Sequence, residues 1–408
     1  MEDRISDLPD SIIHHILSFL PSTKQAIQTS VMSKRWQKQW TYVPVLIFNY
    51  SGTYSDVSDE GITNISRSID NILILHDCSK IKIFHLDYPC RNEKDPHFSE
   101  KIRFATRKDV EELYLNTWYG EYVLPKFLLN NVSVVKLNII CCKVLMSNEK
   151  VNWECLTELN MEHCNLPDQV IGHMLSGSPL LFSLELCDCD GFDKFVIASK
   201  SMKRLVFRYK DFDRYSISHL EISCQNLEVL YLEAIVIYDP NLFAQAIENV
   251  LSVSLLLESF ELIDCLDIDK LVIASKSLKR LVLRDIYVTP NIEISCPTLE
   301  ELKLLGNLNV RTAKLMSLTS SLSATIDYYC YDCQCYYDVE LCYCESLFRD
   351  ILLILQHVEE LRIGRRFFQF LSALELVEVL FSPMLNIKCL ILNSVDFLNE
   401  GSRIACTS

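Results

Sequence analysis

The chain has 408 residues, 49% of them hydrophobic, with only 9 glycines and 12 prolines and a formal net charge of −15. That length allows two or three domains with a large buried core, and the scarcity of Gly and Pro argues against long disordered linkers. The acidic balance disfavours nucleic acid or an anionic membrane surface as the main partner.

Asp3, Asp7 and Asp10 interrupt any apolar stretch at the start, so no secretory signal is expected. The longest apolar runs, such as Ile351–Leu355, fall far short of a membrane span. Many of the 18 cysteines stand at leucine-like positions and read as buried free thiols in a reducing compartment. The expected location is cytoplasmic, nuclear or both.

In chain order, Pro9 suits the start of a helix, where its missing N–H costs nothing. Ile12, Ile13, Ile16, Leu17 and Leu20 then recur at helical spacing, and Pro21 stops the helix. Ser22 and Gln25 fit a capping box for a second helix, with Ala26, Ile27 and Val31 as its apolar positions. Ser33 can cap a third, which carries Trp36 and Trp40 one turn apart among Lys34, Arg35 and Lys38. Three short helices bury little surface alone, so part of this apolar content should face a partner or the next domain. The plainer alternative is a helical cap that seals the end of the array that follows.

Leu8-Pro9, the run Ile16-Leu17-Ser18-Phe19-Leu20-Pro21, Val31, Ser33-Lys34-Arg35-Trp36 and Trp40 together resemble an F-box of the plant F-box/leucine-rich-repeat class, in its F-box/FBD/LRR-like form. The resemblance covers residues 4–48, with Gln25 where an acidic residue is common and Met32 where leucine is. It implies docking on a Skp-type adaptor and, through it, on a cullin and a RING subunit. Carried over by position, that contact falls to Leu8, Pro9, Ile12, Ile16, Leu17, Leu20, Pro21, Val31 and Trp36, some of which will instead form the module's own core.

Residues 49–80 read as a linker, a polar loop over 49–61 followed by a helix over 62–78 with Ile62, Ile65, Ile69, Ile72 and Leu73 in register. From 81 to 395 a unit of the form L-x-x-L-x-L recurs, for example Val110/Leu113/Leu115, Leu156/Leu159/Met161, Leu227/Leu230/Leu232 and Leu299/Leu302/Leu304. Most intervals are about 21–30 residues, the period of leucine-rich repeats. Residues 195–206 (FVIASKSMKRLV) and 271–282 (LVIASKSLKRLV) are near-duplicates. Each unit predicts a short strand whose leucines point inward and whose neighbours pair laterally. Asp168–Leu175 and Phe243–Leu251 have helical spacing and would line the other side. The expected fold class is therefore α/β, an N-terminal three-helix F-box followed by a curved leucine-rich-repeat solenoid with a parallel sheet. The near absence of glycine argues against a doubly wound sheet.

Residues between the core leucines would form the concave, binding face. Glu185, Arg204, Arg208, Tyr231, Glu261, Arg280 and Arg284 are the candidate target contacts, the arginines being matched positions in the two near-duplicate copies. Against this, duplicated Arg and Glu on adjacent strands pair with each other and keep a face soluble. Cys330, Cys333, Cys335, Cys342 and Cys344 have thiolates enough for a zinc ion, but not at a zinc-finger spacing and with no histidine among them. A tyrosine-rich insertion without metal is the expectation, and no other cofactor is implied. From Asn393 the pattern fades into an irregular tail over 396–408, as in a shortened product.

No phosphate-binding glycine loop, nucleophile elbow or zinc-protease motif is present in the sequence. The resemblance thus implies a non-catalytic substrate-recognition subunit of an SCF-type ubiquitin ligase with an unidentified target protein. The alternatives are a non-degradative or shortened F-box scaffold and a small-molecule receptor on the repeat surface.

Overall fold

The computed structural model describes residues 5–50, 58–145, 150–209, 215–237, 239–265, 268–286, 288–308, 312–316, 322–329, 358–365, 367–368 and 387–392. The chain divides into two compact units, Met1–Gly191 and Phe192–Ser408. The cysteine-rich segment 330–344 and the tail from 393 lie outside the described residues.

The first unit opens with helix α1, Asp10–Ser18, and helix α2, Thr23–Gln28, the latter capped by the Ser22 hydroxyl, which accepts from the Gln25 N–H at 3.3 Å. In place of a third α-helix the chain forms two 3-10 segments, Thr29–Val31 and Trp36–Tyr42. These tighter turns bring Trp36, Trp40 and Val43 into one core with Ile13, Leu17 and Ala26. Arg35 locks the arrangement by donating to the carbonyls of Ser6 and Leu8 and to Asp10 Oδ1.

Helix α3, Asp59–Leu75, starts ahead of the expected 62 because Ser58 caps it through the Gly61 N–H and because Asp59 and Glu60 complement its positive end. It ends before His76, whose buried ring bonds the Val43 carbonyl through Nε2 at 2.9 Å. Helix α4, Pro96–Arg107, is capped by Asp95, which accepts from the His97 and Phe98 N–H groups, and buries Phe98, Ile102 and Ala105. Helix α5, Asp168–Ser176, falls where its spacing placed it and buries Val170, Ile171 and Met174.

Parallel strands Val45–Asn49, Ile83–Asp87, Glu112–Asn116, Lys136–Ile140, Glu158–Glu162 and Ser183–Cys187 pair in that order in the first unit. The first lies ahead of residue 81, where leucine spacing places the start of the array. Most of these strands alternate buried and half-buried residues, so pairs such as Phe84/Leu86, Leu113/Leu115 and Leu159/Met161 form the core while the residues between them face out.

In the second unit the parallel strands are Arg204–Arg208, Val229–Glu233, Ser259–Ile263, Arg280–Ile286, Glu301–Leu308, Leu322–Tyr329, Val358–Ile363 and Cys389–Leu392, again paired in sequence order. Helix α6, Pro240–Val253, is capped by Asp239 and covers the segment expected to be helical. The near-duplicate segments behave otherwise. Lys194–Ala198 and Ile268–Ala274 are strands of secondary rows, pairing with His219–Ser223 and Val288–Ser295. Alternating Phe195/Ile197 and Leu271/Ile273 are buried, the period of two that a strand requires.

A sharp bend follows most core strands. His163, Asp188, Ala234, Asp264 and Asp285 take positive φ values at the sixth position counted from the first residue of their strands, and Gly306 takes the same place at φ 71°. The bend lets the N–H of this residue continue the ladder, as from Ala234 to the Ile263 carbonyl and from Asp264 to the Arg284 carbonyl, both under 3 Å. Asp tolerates this left-handed conformation and Gly is free in it, but alanine is strained there. Ala234→Gly is therefore expected to raise the unfolding free energy by about 0.5–1 kcal/mol, and an unchanged or lower midpoint in urea would contradict the strain.

Just past the bend stand the recurrent cysteines. Cys142, Cys164, Cys189 and Cys265 are buried and each thiol donates to a carbonyl of the preceding strand or its neighbour. Burial raises the pKa of Cys142, Cys189 and Cys265, so those are inert packing groups. Among the described residues no helix is long and apolar enough to cross a membrane.

Candidate functional site

Two surfaces collect the candidate residues. The first is on the helical module. Helix α1 has two apolar stripes, Ile13/Leu17 and Ile12/Ile16 with Phe19 beyond, each at the spacing of one turn. The first stripe is buried, Ile13 at 0% and Leu17 at 2% exposure, whereas Ile12 and Ile16 are about 40% exposed and Phe19 is 73% exposed. Of the nine positions carried over from the resemblance, Leu17 and Trp36 are therefore core. Leu8 and Leu20 are half-buried against that core, and Pro9, Ile12, Ile16, Pro21 and Val31 are exposed. Val31 is 89% exposed at the end of a 3-10 turn. Ile5, Phe19 and Met32, outside the positions carried over from the resemblance, are exposed as well. Their signal was available, since Phe19 lies off the Ile13/Leu17 stripe. A small module that leaves this much apolar side chain in water over a closed core has a surface fit for docking.

The second surface is the outward row of the strands. In the second unit the candidates make their own network. Arg280 sits between Glu261 on one neighbouring strand and Glu301 on the other, donating to both. The guanidinium of Arg208 lies 4.9 Å from the Tyr231 ring centre and 3.5 Å from Glu233, and the Tyr231 hydroxyl donates to the same carboxylate at 2.8 Å. Arg204 and Arg284 lie on the flanking rows of the same face, in register with Val229 and Ile263. Much of this arginine content thus satisfies neighbouring carboxylates, as cross-strand pairing favours. A groove of about 290 Å³ lies between strand His219–Ser223 and α6, lined by His219, Glu221, Leu242, Gln245 and Asn249. None of the four arginines lines it.

In the first unit the middle row runs Ile47, His85, Tyr114, Asn138, Asn160, Glu185 in register across six strands. The His85 and Tyr114 rings are 3.8 Å apart. Burial lowers the His85 pKa to about 4 and raises that of Tyr114 to about 12, so both are neutral at physiological pH. The folded value of His85 lies below the unfolded 6.5, so the unfolded chain binds more protons between pH 6.5 and 4 and stability falls as pH drops through that window. Allowing for solvent screening at the partly exposed ring, about 1–2 kcal/mol should disappear there, and His85→Gln should flatten that part of a urea-midpoint profile against pH. An unaltered slope in the variant would show that the acid sensitivity lies elsewhere.

Glu162, His163 and Asp188 are the group of potential cation ligands among the described residues, their ligand atoms within 4.8 Å of one another, but His163 is exposed and such acidic surface groups are common without an ion.

Comparison with known proteins matches residues 5–48 to the F-box domain family and residues 99–230 to the family described as FBD-associated F-box protein At5g56370, LRR repeats. Among curated proteins, the F-box/LRR-repeat protein 25 of Arabidopsis thaliana is 32% identical over 234 residues, 56% of this chain and 85% of that protein. The putative F-box/LRR-repeat protein At3g18150 of the same plant is 33% identical over 250 residues, 60% of this chain and 48% of that protein. The F-box/FBD/LRR-repeat protein At2g04230 is 29% identical over 323 residues, 76% of this chain and 69% of its own length. Against At3g18150 and several further curated F-box/LRR-repeat proteins of the same plant, the match spans half their length or less.

Proposed function

Because the chain belongs to the plant F-box/leucine-rich-repeat family, we propose that it is the substrate-recognition adaptor of an SCF-type ubiquitin ligase, working in the cytoplasm, the nucleus or both. Residues 4–48 act as a compact F-box of helical turns that docks on a Skp-type adaptor and thereby on the cullin and RING subunits. Residues 81–395 act as a curved solenoid whose outward strand face holds a target protein. The observation that carries this reading is the exposed apolar set Pro9, Ile12, Ile16, Phe19, Pro21 and Val31 standing over a core closed by Ile13, Leu17, Trp36 and Trp40.

The chemistry asked of this chain is positional. It supplies no nucleophile. It holds a target lysine near a ubiquitin-charged conjugating enzyme, which converts an encounter between separate molecules into one within an assembly and raises the effective concentration of the amine. The buried thiols, with pKa values pushed upward, are poor nucleophiles and take no part.

The test is reconstitution. The full chain is mixed with a plant Skp-type adaptor and the cullin–RING pair, and pulled down through a tag. Retention of the adaptor, and ubiquitin transfer to a protein that co-purifies from plant extract, are the expected results. No adaptor retention would overturn the docking assignment, whereas adaptor retention without transfer to any co-purifying protein would favour a scaffold that delivers no target.

A further inference from the structure

The outward face of the first unit differs in charge from that of the second. In the second unit cations and anions alternate, as in the run Glu261, Arg280, Glu301. In the first unit the outward positions of the strands carry five carboxylates, Asp87, Glu112, Glu158, Glu162 and Glu185, and one ammonium, Lys136. That ammonium is committed to Glu158 at 2.9 Å.

Between the carboxylates runs the uncharged row of His85, Tyr114, Asn138 and Asn160. The His85 Nε2 and the Asn160 Oδ1 are buried atoms that have no hydrogen-bond partner among the described residues. At the strand ends the Trp118 indole donates to Asp87 and lies against Tyr50, 5.1 Å between rings, which fixes an aromatic surface beside that carboxylate. Carboxylates and aromatic faces together suit one kind of ligand, a chain bearing ammonium or guanidinium groups, through ion pairing and cation–π contact.

We infer that the strand face of the first unit, from His85 to Glu185, is the docking surface for a lysine- or arginine-rich segment of the target protein. This rests on the reading of the strand face as the target-binding side. Rows of neighbouring strands are about 4.8 Å apart, so an extended segment of about six residues would cross the whole face. The same basic segment presents lysines for modification.

The experiment uses the full chain bound to its Skp-type adaptor and a labelled peptide of alternating lysine and serine about ten residues long, enough to cross the face, followed by fluorescence anisotropy. The same peptide with glutamate in place of lysine is the control. The lysine peptide should bind and the glutamate peptide should not, and raising salt from about 50 to 500 mM should weaken binding at least about tenfold. Glu112→Lys with Glu185→Lys should lower affinity by at least about tenfold, and the milder Glu185→Gln and Tyr114→Ala by about threefold each. Glu60→Lys with Glu248→Lys alters the net charge equally at exposed helix positions, and should leave binding within about twofold. Equal loss in both charge-reversed pairs would show attraction to an acidic protein at large and would overturn the inference, as would retained binding in the face variants. Adaptor retention in the same samples separates the outcomes, since the F-box reading stands or falls on it irrespective of the peptide.

Discussion

Ile16→Glu combined with Val31→Glu is expected to weaken adaptor binding by at least about a hundredfold with no change in the unfolding midpoint of the chain. Both side chains face water, so a charge there costs the free protein nothing comparable, and glutamate preserves the helix propensity of the α1 position. In a docked state the same carboxylates would be carried into an apolar contact without a partner, which costs about 2 kcal/mol or more at each site. Trp36→Ala should behave in the opposite order. Trp36 is 3% exposed and packs with Ile13, Leu17, Ala26, Trp40 and Val43, and removing it leaves a cavity worth about 3–5 kcal/mol. A module this small would then lose its fold and its adaptor together. Leu8 and Pro9 make a poorer probe, because Leu8 is packed against the same core. Titration of adaptor by calorimetry, with circular dichroism on each variant, reads both effects. Full-strength binding by the Ile16/Val31 pair would remove α1 from the interface.

The two helical stripes show why composition alone could not sort that surface. Ile12/Ile16 and Ile13/Leu17 are equally good helical repeats, and only the positions of α2 and the Trp36–Tyr42 turn decide which faces inward. The repeat strands were easier to read. Where leucine fills the inward positions, as at Leu113/Leu115 or Leu230/Leu232, strand, register and burial follow from a period of two. Where other residues fill them the signal fades. Leu46/Phe48, Phe84/Leu86 and Leu137/Ile139 are core pairs of the same array, and the first of these opens it well ahead of the leucine-spaced region. The candidate face was legible as a set of polar positions, but not as a network. That Arg280 is held between Glu261 and Glu301 depends on which strands are neighbours and on their register, a fact of pairing between segments some 20 residues apart. The 3-10 turns were not legible, since the spacing of Trp36 and Trp40 fits an α-helix as well.

Asp70→Ala is expected to cost about 2–3 kcal/mol although the carboxylate it removes is itself partly exposed. The reason lies in its partner. The Lys101 side chain, on α4, is fully buried, with its ammonium 2.7 Å from Asp70 on α3, 2.8 Å from the Ser66 hydroxyl and 3.2 Å from the His97 carbonyl. Burial pulls the Lys101 pKa down, and Asp70 is the largest opposing influence. Without Asp70 the ammonium keeps two neutral acceptors and no counter-charge, so the folded state holds an uncompensated cation. Lys101→Met in the Asp70→Ala background removes that cation and keeps the volume, and should restore most of the loss, while Lys101→Met alone should lie within about 1 kcal/mol of the parent. The pH dependence carries a definite sign. With the folded pKa of Lys101 below the unfolded 10.5, the unfolded chain binds more protons in the interval between them, so stability rises with pH there. That interval widens when Asp70 is lost, and the deficit of Asp70→Ala relative to the parent should therefore shrink as pH is raised from about 7 towards 10. A deficit that is constant with pH, or one that persists in the double variant, would mean that Asp70 acts through α3 packing rather than as the counter-ion that lets a lysine sit between two helices.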